Sequence, residues 1–459
     1  MKNSDLLVRL LEEAGVRWVF GIPSGPVLPF IESLSRSPVQ FILTASETSA
    51  GFMAAAVGYL SGIPGVCVST LGPGATNLAT GVGCAWLDRS PVLAITCNVA
   101  TPWLGRRVQM WIDHHALFQP FTKATLSFAD GRIRETWAEA LNAATSEPPG
   151  PVHLDLPEDV SETIAAETLN PAAATNELRD LSNEIAENVT AALKTARRPL
   201  LVAGLTFTRS KNAQQLLQFA EKQQIPFVTT LHGKGFLPES HRNWTGVIGR
   251  ARRTDVKAFT DKADLIVAVG YDPVEMNYEE WAVNRPIIHI SSEAAEVSRE
   301  ISLIWNKACD LDRAIEALSQ LPRCGNAWEI DEWHDHRRML ECSLRPQSDS
   351  FSAHHLLDLL RNKLPPNGIL AYDVGAHTHQ IATQWRTDEP KTLLATNGWS
   401  SMGYGMPAAY AAKLVFPERT VVGVVGDGGF QMTAGELALA RRLRLAVPIV
   451  VLNDGWLGL

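Results

Sequence analysis

Residues 420–454 constrain the fold more than any other part of the chain. A β-branched apolar run, Thr420-Val-Val-Gly-Val-Val425, breaks at Gly426-Asp427-Gly428-Gly429, and a second run, Val447-Pro-Ile-Val-Val-Leu452, ends at Asn453-Asp454. Runs of this kind read as strands buried on both faces of a parallel sheet. Between them, Ala434 to Leu445 is expected to be a helix, with Thr433 and Glu436 spaced as a capping box. A strand-helix-strand unit makes both strands point the same way. Asp427 and Asp454 then stand side by side at the carboxyl edge of the sheet, where open α/β sheets bind ligands. Two carboxylates there repel unless a cation lies between them, and the glycines leave backbone N–H groups open to phosphate. Taken singly, each aspartate reads as a turn residue; taken together they read as a metal pair.

The rest of the chain has the same character. Its 459 residues allow two to four domains. Strands at 16–20, 40–44, 65–70, 91–96 and 152–156 alternate with helices at 4–14 and 48–60, which argues for a parallel sheet. A polar stretch over 161–185 reads as a linker. A second α/β unit has strands at 199–203, 227–230, 265–269 and 286–290. After a charged segment at 326–350, a third unit begins with a helix at 353–363 and a strand at 368–372, with a weaker candidate at 393–396. The fold class expected is therefore α/β, with three doubly wound parallel-sheet domains at 1–165, 186–330 and 350–459. The last is short of strands, as a truncated domain would be.

Composition narrows the function. A net charge of −8 without a basic block excludes nucleic acid as a partner, and no apolar run has the roughly 18 residues of a membrane span. The N-terminus carries no signal-peptide apolar region, and six cysteines without CxxC spacing read as free thiols in a reducing cytoplasm.

Two further glycine-rich elements accompany the first: Gly72-Pro-Gly-Ala-Thr-Asn77 and Ser401-Met-Gly-Tyr-Gly-Met-Pro407. With Glu47 and the GDG…Asn453-Asp454 pattern, the whole chain resembles the thiamine-diphosphate enzymes of the acetolactate synthase and pyruvate oxidase type. The resemblance implies the domain order pyrimidine-binding, middle, pyrophosphate-binding. It implies thiamine diphosphate held through Mg2+ by Asp427, Asp454 and the Trp456 carbonyl, with Asn453 ranked second. It places the diphosphate on Gly428 and Gly429, with Gly375 and His377 as further contacts; Ala376 departs from the glutamine common there. Glu47 is implied as the catalytic carboxyl that hydrogen-bonds the aminopyrimidine, and Met402 as the apolar wedge beneath the cofactor. Ser400 borders the pyrimidine, and Pro73 and Asn77 form the cofactor-facing turn. The family shares each cofactor between two subunits, which implies a homodimer or homotetramer. Read without the resemblance, Glu47 is a helix-start glutamate and Met402 a core methionine.

Decarboxylation of a pyruvate-like 2-keto acid can end in ligation to a second carbonyl compound, in simple release, or in oxidation. The stretch Gly270-Tyr-Asp-Pro-Val-Glu-Met-Asn-Tyr-Glu-Glu-Trp281 resembles flavin-independent acetolactate synthases, so a carboligase without FAD is expected. A non-ligating decarboxylase or oxidase is the alternative, and a non-catalytic metabolite-binding protein is the alternative from another class. Gln109, His114 and His115 are candidates for the substrate pocket, the two histidines as a proton-handling pair, although adjacent loop histidines are commonly solvated.

Overall fold

A computed structural model describes residues 1–166, 178–249, 253–348 and 351–456. The chain forms three parallel sheets. The first contains β1 (Trp18–Gly21), β2 (Gln40–Leu43), β3 (Gly65–Ser69), β4 (Val92–Asn98), β5 (Ala124–Ser127) and β6 (Pro151–Pro157), in the order β2-β1-β3-β4-β6-β5. β3, β4 and β6 are buried throughout, as their continuous apolar sequences require. The chain leaves β1 toward β2 on one side and β3 lies on the other, so the strand order reverses between β1 and β3. The segment Gly72–Asn77 that follows β3, expected as a loop turn, is from Pro73 on the first turn of the helix Pro73–Leu87, and it starts at a position where doubly wound sheets bind ligands.

The second sheet contains β7 (Pro199–Ala203), β8 (Phe227–Thr229), β9 (Trp244–Val247), β10 (Leu265–Val269), β11 (Ile287–Ser291) and β12 (Leu303–Ala308), in the order β12-β11-β10-β7-β8-β9. Its reversal lies between β7 and β10, and the loops leaving those strands cross there. Thr206 N donates to Gly270 O at 2.8 Å, and a Cβ on Gly204 would lie 2.6 Å from the Tyr271 Cα. The buried Glu275 carboxylate accepts from Leu205 N and, at 3.0 Å, pairs with His232 Nδ1. The third sheet is smaller, with four strands: β13 (Ile369–Tyr372), β14 (Leu393–Leu394), β15 (Val421–Gly426) and β16 (Ile449–Leu452). β15 lies between β13 and β16.

Two compact units result. One comprises Met1–Asn176, Leu370–Val374 and Trp399–Trp456, and the other Glu177–Ile369 with Gly375–Gly398. Each has an apolar core: Leu6, Phe30, Val68, Ile95 and Leu154 in the first, and Leu201, Phe219, Trp244, Ile266 and Ile288 in the second. The expected boundary at 350 lies outside the described residues, as does part of the 161–185 linker, whose far end is already the helix Ser182–Thr195. β5, β9 and β12 add to the strands expected from sequence. No helix among the described residues is long and apolar enough to cross a membrane.

Candidate active site

The last residue of β15, Gly426, is still extended, with φ −76° and ψ 164°. The helix Asp427–Thr433 begins at the next residue, so Asp427 is carried directly on the strand tip. β15 and β16 pair with Gly426 opposite Leu452. Asp427 follows that pair by one residue and Asp454 by two, which puts both aspartates on one edge. Asp427 is half-buried and Asp454 exposed. Asp454 Oδ1 accepts the Trp456 N–H at 3.0 Å, curling the chain over the strand tip and leaving the Trp456 side chain 79 % exposed.

The helix start corrects the sequence reading, which put it at Ala434 behind a capping box. The Thr433 hydroxyl instead donates to Gly429 O at 3.3 Å. Glu436 Oε1 accepts the Ala45 N–H at 2.9 Å. Asp427 itself supplies the negative charge that a helix start favours, so the helix needs no later signal. Ala434–Glu436 is a 3-10 turn leading into the helix Leu437–Leu443.

A third acidic residue at a strand tip, Asp373, joins this corner to its neighbours. It follows β13, and its buried carboxylate accepts the Gly403 N–H through both oxygens at 2.9 Å and the Val374 N–H at 2.8 Å. Burial pushes its pKa up, and the backbone N–H groups, Gly403 first, pull it back. A Cβ on Gly429 would lie 1.8 Å from Asp373 Oδ2, so only glycine fits there. Gly403, at φ +89°, turns the chain through the left-handed region that glycine favours. Ser400 and Met402 hang on this segment; Ser400 has φ +52°, and Met402 is half-buried. Asp373 thus ties the diphosphate-type turn to the segment carrying Ser400 and Met402. The sequence held one signal for it, an acidic residue at the carboxyl tip of the strand beside β15.

Glu47 is the first residue of the helix Glu47–Ser61, whose N-cap Ser46 accepts from Ser49 N. It is 8 % exposed. Asn77 Nδ2 donates to Glu47 Oε2 at 3.1 Å, and Thr48 Oγ1 donates to Asn77 O at 2.7 Å. The turn at Gly72–Asn77 and the start of the Glu47 helix are therefore one hydrogen-bonded assembly. Pro73 opens the helix Pro73–Leu87 at a position where its missing N–H costs nothing. The Glu47 helix packs along the helix Gly405–Val415, with Phe52 and Tyr404 edge to face at 5.7 Å. Glu436, buried with its pKa raised by desolvation, holds Ala45 two residues before Glu47.

Gln109 is exposed on the loop that follows β4, and the carbonyl of its neighbour Met110 lies where a Cβ on Gly72 would sit, at 2.2 Å. His114 and His115 do not form a pair. His114 is buried, its Nε2 accepting the Gly72 N–H at 3.3 Å, while His115 Nε2 meets Ser127 Oγ at 2.8 Å. Gly375 and His377 belong to the second unit. There Gly375 precedes the helix Ala376–Gln384, its N–H donates to Thr378 Oγ1 at 3.1 Å, and the His377 ring folds back over it.

The donors at the β15–β16 edge are all oxygens, two carboxylates with the Trp456 carbonyl next along the chain. That is the set a hard divalent cation such as Mg2+ takes, with phosphate and water completing its shell. The side-chain-free turn at Gly428-Gly429 gives a phosphate group close access to backbone. The residues present fit a magnesium-bound diphosphate.

Comparison with known proteins matches three segments of the chain to one family and its full length to several relatives. Residues 1–117 match the family model described as thiamine pyrophosphate enzyme, N-terminal TPP binding domain; 186–318 match the central domain; 373–459 match the C-terminal TPP binding domain. A "Probable acetolactate synthase large subunit" of Methanocaldococcus jannaschii is 32 % identical over 480 residues, covering 100 % of this chain and 81 % of that protein. The acetolactate synthase isozyme 1 large subunit of Escherichia coli K12 is 30 % identical, covering 100 % of this chain and 82 % of its own length. The acetolactate synthase large subunit of Lactococcus lactis is 31 % identical, covering 100 % and 81 %.

Proposed function

The chain belongs to the thiamine pyrophosphate enzyme family, and we propose that it is a magnesium-dependent, acetolactate synthase-like carboligase. It would decarboxylate a pyruvate-like 2-keto acid and join the remaining fragment to a second carbonyl compound. The observation that carries the site assignment is the register of β15 and β16, with Gly426 opposite Leu452.

Thiamine diphosphate, when bound, supplies the electron sink that lets a 2-keto acid lose carbon dioxide. Asp427, Asp454 and the Trp456 carbonyl would hold the Mg2+, and Gly428 and Gly429 would present backbone to the diphosphate. Glu47 would hydrogen-bond a pyrimidine ring nitrogen and share its proton there. Asn77 already donates to Oε2, which orients the carboxyl and leaves Oε1 for that proton. Ser400 and Met402 would border and support the heterocycle, held at their height by Asp373. Pro73 shapes the turn from which Asn77 acts. Gln109 is proposed to face the substrate.

FAD is not expected to bind. The reading is supported by the Gly270–Trp281 stretch, which resembles flavin-independent acetolactate synthases, and by the loops after β7 and β10 being hydrogen-bonded to each other at the strand-order reversal. A flavin spectrum in purified protein would overturn that. The proposed assembly is a homodimer or homotetramer, because Asn77, Asp454 and Trp456 are all exposed in the single chain. A fully active monomer in light scattering would contradict it. Free cysteines, four of them buried, suit a cytoplasmic location.

The deciding experiment incubates the protein with pyruvate, thiamine diphosphate and Mg2+ and identifies products by NMR. Acetolactate supports the carboligase. Acetaldehyde or acetate would replace it with a decarboxylase or oxidase, and no turnover would favour a non-catalytic binding protein.

A further inference from the structure

We propose that His114 is a positioning residue: its Nε2 accepts the Gly72 N–H, and Asp155 fixes the tautomer that makes this possible, so that the pair sets the Gly72–Asn77 turn facing the cofactor. The inference rests on the cofactor role proposed for that turn.

The proton assignment follows from the partners. A backbone N–H only donates, so the Nε2 that faces Gly72 N at 3.3 Å carries a lone pair. The His114 proton is then on Nδ1, which lies 3.1 Å from Asp155 Oδ1 and 2.9 Å from Thr96 Oγ1. Asn98 Nδ2 donates to both Asp155 oxygens at 3.1 Å, and Thr96 Oγ1 donates to Oδ1 at 3.2 Å. Having spent its proton, the Thr96 hydroxyl accepts from His153 Nε2 at 2.8 Å. His153 Nδ1 is left as a bare lone pair, and that nitrogen is the one without a hydrogen-bond partner. Each of these hydrogen bonds thereby has one donor and one acceptor, with both imidazoles neutral and Asp155 ionised; Asn98 Nδ2, which donates to Asp155, also lies 3.4 Å from His114 Nδ1. Burial lowers the His153 pKa to about 3, and Asp155 is held below its ordinary value despite burial, the His114 hydrogen bond leading the groups responsible.

The arrangement matters because of what Gly72 carries. Gly72 has φ +59°, and any Cβ on it would lie 2.2 Å from the Met110 carbonyl oxygen. The turn is pinned on that side by the 109–115 segment and on the other by the Asn77–Glu47 hydrogen bond. His114 anchors both the turn and the segment, since it starts the helix His114–Phe118. The same three side chains, His114, His153 and Asp155, have the composition of a metal site. Thr96 Oγ1, however, lies within hydrogen-bonding distance of all three donor atoms, in the place an ion would take.

The test uses the holoenzyme with three variants. His114→Phe keeps a ring but gives Gly72 no acceptor, and should raise the half-saturating thiamine diphosphate concentration by about tenfold or more, a buried donor having lost its partner. His114→Gln, which restores an acceptor, should return cofactor affinity to within about threefold of the original. Asp155→Asn keeps the shape but presents an amide donor to Nδ1, driving the proton onto Nε2 against the Gly72 N–H. It should behave as His114→Phe, and it carries the test if the Phe variant does not fold. Unchanged cofactor affinity in His114→Phe and Asp155→Asn, with only the melting temperature lowered, would overturn the inference. So would a Gln variant as weak as the Phe variant, or one metal ion per chain in the original protein that Asp155→Asn removes. Failure of the unsubstituted protein to bind thiamine diphosphate would instead refute the functional reading beneath it.

Discussion

Replacing Gly429 by alanine places a methyl carbon 1.8 Å from Asp373 Oδ2, where ordinary contact begins at 3.4 Å. Asp373 has nowhere to go. Both its oxygens accept the Gly403 N–H at 2.9 Å, one also takes the Val374 N–H at 2.8 Å, and the Tyr404 and Gly405 N–H groups reinforce them. If the carboxylate turns away, it abandons hydrogen bonds to a charged acceptor worth about 1.5–3 kcal/mol each, so losing two costs about 3–6 kcal/mol. If the carboxylate stays, the Gly428-Gly429 turn must move, and with it the backbone assigned to the diphosphate. Either route should weaken thiamine diphosphate binding by about a hundredfold or more, since each 1.4 kcal/mol is tenfold. The assay is the half-saturating cofactor concentration at saturating Mg2+, with melting temperature followed in parallel. Gly25→Ala is the control, because a Cβ there meets nothing within 4 Å. A Gly429→Ala protein with cofactor affinity within about threefold of the original and an unchanged melting temperature would refute the reasoning.

Glu47→Gln should abolish turnover of 2-keto acids while leaving cofactor affinity within about tenfold, ~1.4 kcal/mol; full activity would remove Glu47 from its role. Acid should destabilise the first unit. His153 is neutral in the fold with its pKa lowered to about 3 by burial, so between that value and its unfolded value of 6.5 the unfolded chain binds one more proton. Stability present above pH 6.5 is lost on acidification at about 1.4 kcal/mol per pH unit. Asp155, also lowered, acts in the same direction; urea midpoints from pH 7 to pH 4 that stay flat would contradict this, and His153→Gln should reduce the slope. In the second unit, Lys234 Nζ and Glu239 Oε1 lie 2.6 Å apart with both side chains fully buried. Glu239→Gln should cost about 3–5 kcal/mol by stranding the lysine, measured by urea unfolding; a change below about 1 kcal/mol would show that the buried pair is replaceable.

Much of this architecture is legible in the sequence because the central strands are apolar runs with glycine-marked ends. β3, β7, β10 and β15 are of that kind, and the parallel direction of a β-α-β unit then puts Asp427 and Asp454 on one edge without further information. The strands that escape are those the signal does not describe. β12 has a single buried residue in six, β5 none, and β9 contains a glycine. At the site, what could not be read is long-range partnership. Glu436 looks like a local cap but bonds Ala45, 391 residues away. His114 looks like a loop histidine, yet its two ring nitrogens are committed to residues 42 and 41 positions earlier and later. Asp373 acts through backbone N–H groups at Gly403 and through the space that Gly429 leaves, neither of which any periodicity reports.

Magnesium titration by calorimetry in the presence of thiamine diphosphate tests the paired-aspartate claim most directly. The original protein should bind one Mg2+ per chain, and Asp427→Asn and Asp454→Asn should each weaken that binding by about a hundredfold, a loss of ~2.7 kcal/mol. One tightly bound Mg2+ per chain in both variants would mean that the two strand tips do not hold the ion.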